Sequence, residues 1–370
     1  MSISPPEWLE TRLLVGQHNM KIAIVLPNWI GDAAMATPTL RAISQRFGSH
    51  AKIVGVMRPY VAEVLEGTTW LDGYALYDPK SVDRSLSSQS LVRRLRSMKL
   101  DSIVMLTNSL RTGVIGWLSG ARQRVGYVRN GRGPLLTDKL YQPRDGRRFR
   151  PVSAVDNYLD LAKHLGCQNV SRELELATTR ANEEAADRVW NKLGLSGGDE
   201  TIVLCPGSAF GPAKHWPTEH FGELARRIVD SQTCNVLVAC GPAERENARE
   251  ITRLAGRDRV VSLADEPLSI GLTKACLRRS RLAVATDSGP RHLAAGFAVP
   301  TIALFGSTDP RWSINYNPNE IRLNETVPCG PCVQRVCPLG HHRCMQDLRV
   351  ERVFNAVQSL LGSSRAADAA

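Results

Sequence analysis

The chemistry of this chain is concentrated in four loops, each set between an apolar run and a helical pattern. The first is PGSAFGPAKHWP, residues 206 to 217, which follows TIVLC and precedes TEHFGELARRIVD. Gly207 and Gly211 let backbone approach a ligand closely, Ser208 offers a hydroxyl, and Lys214 ends the loop with a compact positive charge. These are groups suited to phosphate. Taken alone, the loop reads first as a flexible connector with a solvated lysine. A second loop changes the balance. In ATDSGPRHLAAGFAVP, residues 285 to 300, a strand ends at Asp287, Ser288 and Gly289 turn the chain, Pro290 suits a first helical position and the helix continues through His292. The unbonded N–H groups of such a turn bind a phosphate or diphosphate, and the competing reading is that Asp287 and Ser288 only cap the helix. A hydrolase triad of Asp287, Ser288 and His292 is disfavoured, because no G-x-S-x-G nucleophile turn accompanies it.

The third loop, CGPAEREN (240 to 247), places Glu244 where it can accept hydrogen bonds from ribose hydroxyls, or where it merely complements a helix start. The fourth, within LPNWIGDAAMATPTLRAIS (26 to 44), carries Asp32 and no lysine before its helix. Asp32 is either a cap or, set opposite a diphosphate, a general base.

The elements that must position these loops are legible as short β-rich runs alternating with amphipathic helices. KIAIVLP (21 to 27), AKIVGVM (51 to 57) and SIVMLT (102 to 107) occupy the first half. TIVLC (201 to 205), NVLVAC (235 to 240), VVSLA (260 to 264), LAVATD (282 to 287) and TIALFG (301 to 306) occupy the second. Continuous apolar strands separated by helices predict parallel sheets covered on both faces, and two such sets predict two doubly wound α/β domains. In such sheets ligands sit beyond the carboxyl ends of the strands, where all four loops fall. The expected division is a leader, 1–20, a first domain, 21–175, a second domain, 176–350, with a Cys-rich segment at 329–344, and a C-terminal helix with a disordered tail, 351–370.

Length and composition agree with this plan. A chain of 370 residues exceeds what one core usually fills, and 43% hydrophobic with 22% charged residues is the balance of a globular protein. No window approaches the ~20 apolar residues of a membrane span, and the first twenty residues lack a secretion signal, so the expected location is the cytoplasm. The net charge of +11 favours anionic partners. Much of it lies in residues 122 to 150, where Arg122, Arg124, Arg129, Arg132, Lys139, Arg144, Arg147, Arg148 and Arg150 face only Asp138 and Asp145. Arginine forks there suit substrate phosphates, a solvated face is the plain alternative, and no nucleic-acid fold signature supports a nucleic-acid partner. CGPCVQRVCPLGHHRC, residues 329 to 344, has ligand types for zinc or an iron–sulfur cluster in Cys329, Cys332, Cys337 and Cys344 with His341 and His342, at a spacing that fits neither standard pattern. A structural metal there stands beside simple reduced thiols as an alternative.

NWIGDAAMATPTLRAI, GYVRNGRGPLLTD, CPGSAFGPAKHWP and TDSGPRHLAAG, in this order and spacing, resemble the ADP-heptose:lipopolysaccharide heptosyltransferases of glycosyltransferase family 9, most closely the heptosyltransferase II branch. The resemblance covers Lys21 to about Leu361. It implies a GT-B fold, two Rossmann-like domains facing a cleft, an amino-terminal one for acceptor and a carboxyl-terminal one for donor. It implies inverting transfer of L-glycero-D-manno-heptose from ADP-heptose to the heptosyl-Kdo2-lipid A inner core at the cytoplasmic face of the inner membrane, with peripheral contact to that anionic surface. The alternative is the same chemistry at another heptose position or with another nucleotide sugar. Under the resemblance Asp32 is the catalytic base and Lys214 stabilises departing ADP. Ser208, Lys214, Glu244, Asp287, Ser288, Gly289 and His292 bind donor, with Arg245 and Glu246 as neighbouring alternatives to Glu244, and Arg122, Arg129 and Arg132 face the phosphorylated acceptor. No D-x-D pair occurs, so no cofactor or metal is expected for transfer.

Overall fold

The computed structural model describes residues 20–195 and 200–368. The expected leader therefore lies almost wholly outside the described residues. The chain forms two compact units, one running to Glu173 and taking in Arg311–Asn315, the other comprising Leu174–Pro310 and the chain from Tyr316 on.

The first unit is built on β1 (Met20–Val25), β2 (Ala51–Met57), β3 (Gly73–Leu76), β4 (Ser102–Met105), β5 (Gln123–Tyr127) and β6 (Asp138–Leu140). They form one parallel sheet in the order β3-β2-β1-β4-β5-β6. Val25 lies in register with Val56 on one side and Met105 on the other. Both faces of β1 are buried, which is why its sequence, MKIAIV, lacks polar alternation. Ala23, Val25, Val54, Val56, Ile103 and Met105 share a core with Leu91, Leu95 and Ile115 from the covering helices. A short antiparallel ribbon, β7 (Arg144–Asp145) with β8 (Arg148–Phe149), follows the sheet.

The second unit repeats the plan with β9 (Glu200–Cys205), β10 (Cys234–Val238), β11 (Val260–Ser262), β12 (Leu282–Thr286), β13 (Thr301–Phe305) and β14 (Glu320–Asn324), ordered β11-β10-β9-β12-β13-β14. Leu204 pairs with Val238 and Val284, so β9 has a neighbour on each side. In each sheet the order reverses beside the first strand, between β1 and β4 and between β9 and β12. In this architecture loops leaving such strands diverge to opposite faces, and the crevice between them is the usual ligand position. Asp32 follows β1, the Gly207–Lys214 loop follows β9, and Asp287 follows β12.

The last helix, Val350–Asp368, runs through residues for which the sequence predicts disorder.

Candidate active site

At the β9/β12 crevice the loop after β9 ends in a short helical turn, Pro212–Lys214. Gly211 has φ 145°, and a Cβ there would lie 2.5 Å from the Arg335 carbonyl oxygen, so only glycine fits. This turn carries Lys214 inward. Its Nζ donates to Asp287 Oδ2 at 2.6 Å and to the Asp287 carbonyl at 2.8 Å. An ammonium has three donors, and the two used here fix its place and leave a third. The Phe210 ring lies 4.8 Å from the same Nζ.

Asp287 is the centre of a larger network. Its Oδ2 also accepts from Thr308 Oγ1 at 2.7 Å, and its Oδ1 accepts from Arg291 at 3.1 Å. Arg291, fully buried, forks onto Glu320 at 2.7 and 2.8 Å. Burial alone would raise the pKa of Asp287, but the charges of Lys214 and Arg291 outweigh it and hold the carboxyl well below the usual range. Arg322 adds a further cation on Glu320 at 3.4 Å, so the network alternates cations and carboxylates and holds Lys214 in a fixed direction. Arg291, Glu320 and Thr308 escape the sequence reading. Arg291 had one signal, its i+4 spacing from Asp287 across a helix start.

Ser288 is extended (φ −147°, ψ 178°) and its side chain makes no capping bond to the helix Gly289–Ala295, so the capping alternative is not realised there. Its hydroxyl lies 3.2 Å from Thr286 Oγ1, which donates to the Gly207 carbonyl at 2.8 Å and ties the two loops together. Ser208 is buried in the same loop, its carbonyl accepting from Gly211 N at 3.3 Å. His292 is buried, and its Nδ1 has no hydrogen-bond partner among the described residues. Burial, then the adjacent Arg291 charge, push its pKa well below the ordinary value, so the ring is neutral.

Glu244 turns back to accept from Gly241 N at 2.8 Å. Its carboxylate occupies the space beside Gly207, where a Cβ would lie 1.9 Å from Oε1. The neighbouring alternatives point elsewhere: Arg245 donates to the carbonyls of Ala264 and Glu266, and Glu246 pairs with Arg249 on the surface. Of the three, Glu244 stands at the Gly207 loop.

In the first unit Asp32 lies in the first turn of the helix Ile30–Met35, whose cap position is Trp29 and carries no side-chain capping bond. Asp32 accepts from the buried Tyr158 hydroxyl at 3.3 Å. Burial and the Asp32 charge push the Tyr158 pKa well up, keeping the phenol protonated as the donor.

The three arginines divide. Arg122 is exposed. Arg129 is half-buried, stacked 3.8 Å over Phe149 and bonded to Gln142. Arg132 corrects the expectation of a surface fork. It is completely buried and donates to the carbonyls of Tyr127 (2.8 Å) and Thr107 and to Asn108 Oδ1 (3.0 Å), and burial lowers its pKa to about 10. Its fork is spent on the loops after β4 and β5, a need that a count of arginines in a basic run cannot register.

The Cys-rich segment also departs from one of its readings. Cys329, Cys332, Cys337 and Cys344, all free thiols, line one small cavity with His341 and His342. Among the described residues no three His, Cys, Asp or Glu side chains are placed to hold an ion, so the structural metal finds no support. One thiol–imidazole contact is made, Cys329 Sγ to His341 Nε2 at 3.8 Å.

Known proteins resemble this chain over most of its length. The chain is 27% identical over 353 residues to lipooligosaccharide heptosyltransferase 2 of Campylobacter jejuni, covering 93% of this chain and 99% of that protein. It is 26% identical over 365 residues to lipopolysaccharide heptosyltransferase 2 of Escherichia coli K12, covering 92% and 99%. The solved structure of E. coli ADP-heptose lps heptosyltransferase II shares the fold, with a TM-score of 0.75 at 23% identity over 94% of this chain and 100% of that one. The glycosyltransferase family 9 (heptosyltransferase) model matches residues 88–343, and the chain therefore belongs to that family of glycosyltransferases.

Proposed function

We propose that the protein transfers L-glycero-D-manno-heptose from ADP-heptose, with inversion, to the heptosyl-Kdo2-lipid A inner core of lipopolysaccharide at the cytoplasmic face of the inner membrane. The observation that carries the donor half is Lys214: buried, anchored twice by Asp287, and left with one N–H at the β9/β12 crevice. That N–H, the Ser208 hydroxyl and the Ser288–Gly289 turn bind the diphosphate, and Glu244 binds ribose. As the glycosidic bond of the donor breaks, negative charge builds on the departing ADP, and a preorganised donor stabilises it without reorganisation. Neutral His292, with its unpaired Nδ1, belongs to the same donor set.

Asp32 takes the proton of the acceptor hydroxyl as its oxygen attacks the anomeric carbon, and the Tyr158 hydroxyl orients the carboxylate. Direct displacement by that oxygen inverts the anomeric centre. Arg122 and Arg129 bind acceptor phosphates, and no cofactor or metal takes part. The names of the relatives support the heptosyl reading, and both a heptosyltransferase 1 and a heptosyltransferase 2 are among them, so the position on the core needs its own test. ADP release is measured with ADP-heptose against Kdo2-lipid A and heptosyl-Kdo2-lipid A. Turnover that requires the heptosylated acceptor is expected. Equal or faster turnover with Kdo2-lipid A moves the assignment to the first heptose, and turnover with neither overturns it.

A further inference from the structure

The helix Leu110–Leu118 is built inside out. Its buried face is small: Thr112, Gly113, Ile115, Gly116 and the following Ser119. A Cβ on Gly113 would lie 2.8 Å from Arg132 Cβ, and one on Gly116 would lie 3.1 Å from Met105 Sδ, so the glycines let the helix seat tightly on the sheet. Apart from Ile115, its large apolar side chains point the other way. Leu110 is 49% exposed, Val114 36%, Trp117 55% and Leu118 38%, at the i, i+4, i+7, i+8 spacing of one face. Scattered exposed leucines need no explanation, but four on one face of a nine-residue helix do. The helix is firmly started, Ser109 Oγ accepting from Thr112 N at 3.2 Å, so the face is a fixed surface and not a frayed end.

The border of this face is cationic. The helix Ser88–Met98 packs beside it and exposes Arg93 and Arg96, with Lys99 just beyond its end and Arg84 just before its start. Arg111 is exposed on the apolar helix itself. Between residues 84 and 122 the one carboxylate is Asp101, which is buried. An apolar face bearing a tryptophan, with exposed arginines on its own helix and on the helix packed beside it, has chemistry that fits an anionic bilayer surface: the apolar side chains enter the headgroup boundary, the indole sits at the interface, and the cations meet lipid phosphates. A second copy of the chain fits poorly, since a two-fold contact would set this cationic border against itself.

We propose that the exposed face of Leu110–Leu118, with the basic helix Ser88–Met98, docks the protein on an anionic phospholipid bilayer. This rests on the proposed function only in giving docking a purpose, a lipid-borne acceptor; the contact itself needs no sugar nucleotide. The test is co-sedimentation of the full chain with vesicles of phosphatidylglycerol and phosphatidylcholine in equal parts, against phosphatidylcholine alone. Binding to the anionic vesicles only is expected. Trp117→Ser/Leu118→Ser should weaken it at least about tenfold, as should Arg93→Glu/Arg96→Glu, with melting temperature and ADP affinity unchanged in both. Wild type that ignores anionic vesicles, or double variants that bind like wild type, overturns the proposal. A wild-type dimer that Trp117→Ser/Leu118→Ser converts to monomer gives the face to a second copy and overturns it too. None of these results bears on transfer to detergent-dispersed acceptor, so the two readings fail separately.

Discussion

Replacing Asp287 with asparagine removes one charge and leaves the shape nearly intact, which makes it the sharpest perturbation of the donor network. In the native chain its carboxylate answers Lys214 at 2.6 Å, Thr308 at 2.7 Å and Arg291 at 3.1 Å, both cations being buried. After substitution Lys214 and Arg291, both buried, lose the carboxylate they share, while Glu320 stays bonded to Arg291. Breaking a buried pair by removing one partner costs about 3–5 kcal/mol, against a domain stability of about 5–15 kcal/mol. Lys214 also loses its anchor, and losing one charge-assisted bond to diphosphate, about 1.5–3 kcal/mol, weakens ADP binding roughly ten- to a hundredfold. Glu320→Gln is the control. It strips Arg291 of its fork but leaves Lys214 on Asp287, so stability falls comparably while ADP affinity stays within about threefold, less than one such bond. Urea unfolding and ADP calorimetry on both variants decide the matter. A loss below about 1 kcal/mol in Asp287→Asn, the worth of an ordinary exposed pair, would refute the account of the network. So would a Glu320→Gln variant whose ADP affinity falls as far as that of Asp287→Asn.

Three other results follow from single contacts. His292 has a folded-state pKa depressed below its unfolded value near 6.5, so its contribution to stability is complete above that pH and is lost as pH falls below it. Denaturant unfolding should therefore show wild type losing stability as pH falls below about 6.5, by at most about 1.4 kcal/mol per pH unit more than His292→Gln. Gly207→Ala drives a methyl into the Glu244 carboxylate and breaks its bond to Gly241 N; the melting temperature should drop by a few degrees, and Glu244→Ala in the same chain should restore most of it. Hydrogen bonds from backbone around His342 lower the pKa of Cys337, while burial raises those of Cys205 and Cys276, the latter to about 12. Brief alkylation at neutral pH, read by mass spectrometry, should modify Cys337 and leave Cys205 and Cys276 untouched.

Much of the frame was legible because the central strands are buried on both faces. Ala51–Met57 coincides with its predicted run, and the runs for β1, β4, β9, β10, β11, β12 and β13 each overlap the observed strand. The strands the sequence concealed are short or peripheral. β3 and β6 have four and three residues, β5 reads QRVGY with two polar residues, and β14 at the sheet edge alternates charge with apolar side chains. None offers the continuous apolar run by which the others are found. The site loops could be read from residue type and position after a strand. What could not be read was who partners whom. Lys214 and Asp287 lie 73 residues apart, and Glu320 reaches Arg291 from the edge strand β14. Arg132 shows the reverse failure: its type and basic neighbourhood suggest a surface, and only packing against Gly113 and Gly126 reveals that it fills an interior gap.

The central claim is that Asp32 is the base of an inverting heptosyl transfer, and single-substitution kinetics test it most directly. ADP release from ADP-heptose with heptosyl-Kdo2-lipid A is compared for wild type, Asp32→Asn and Tyr158→Phe. The account predicts that Asp32→Asn lowers kcat at least about 100-fold with the KM for ADP-heptose unchanged, the loss expected when a general base is removed, and that Tyr158→Phe lowers it less. An Asp32→Asn enzyme whose kcat stays close to that of wild type would contradict it.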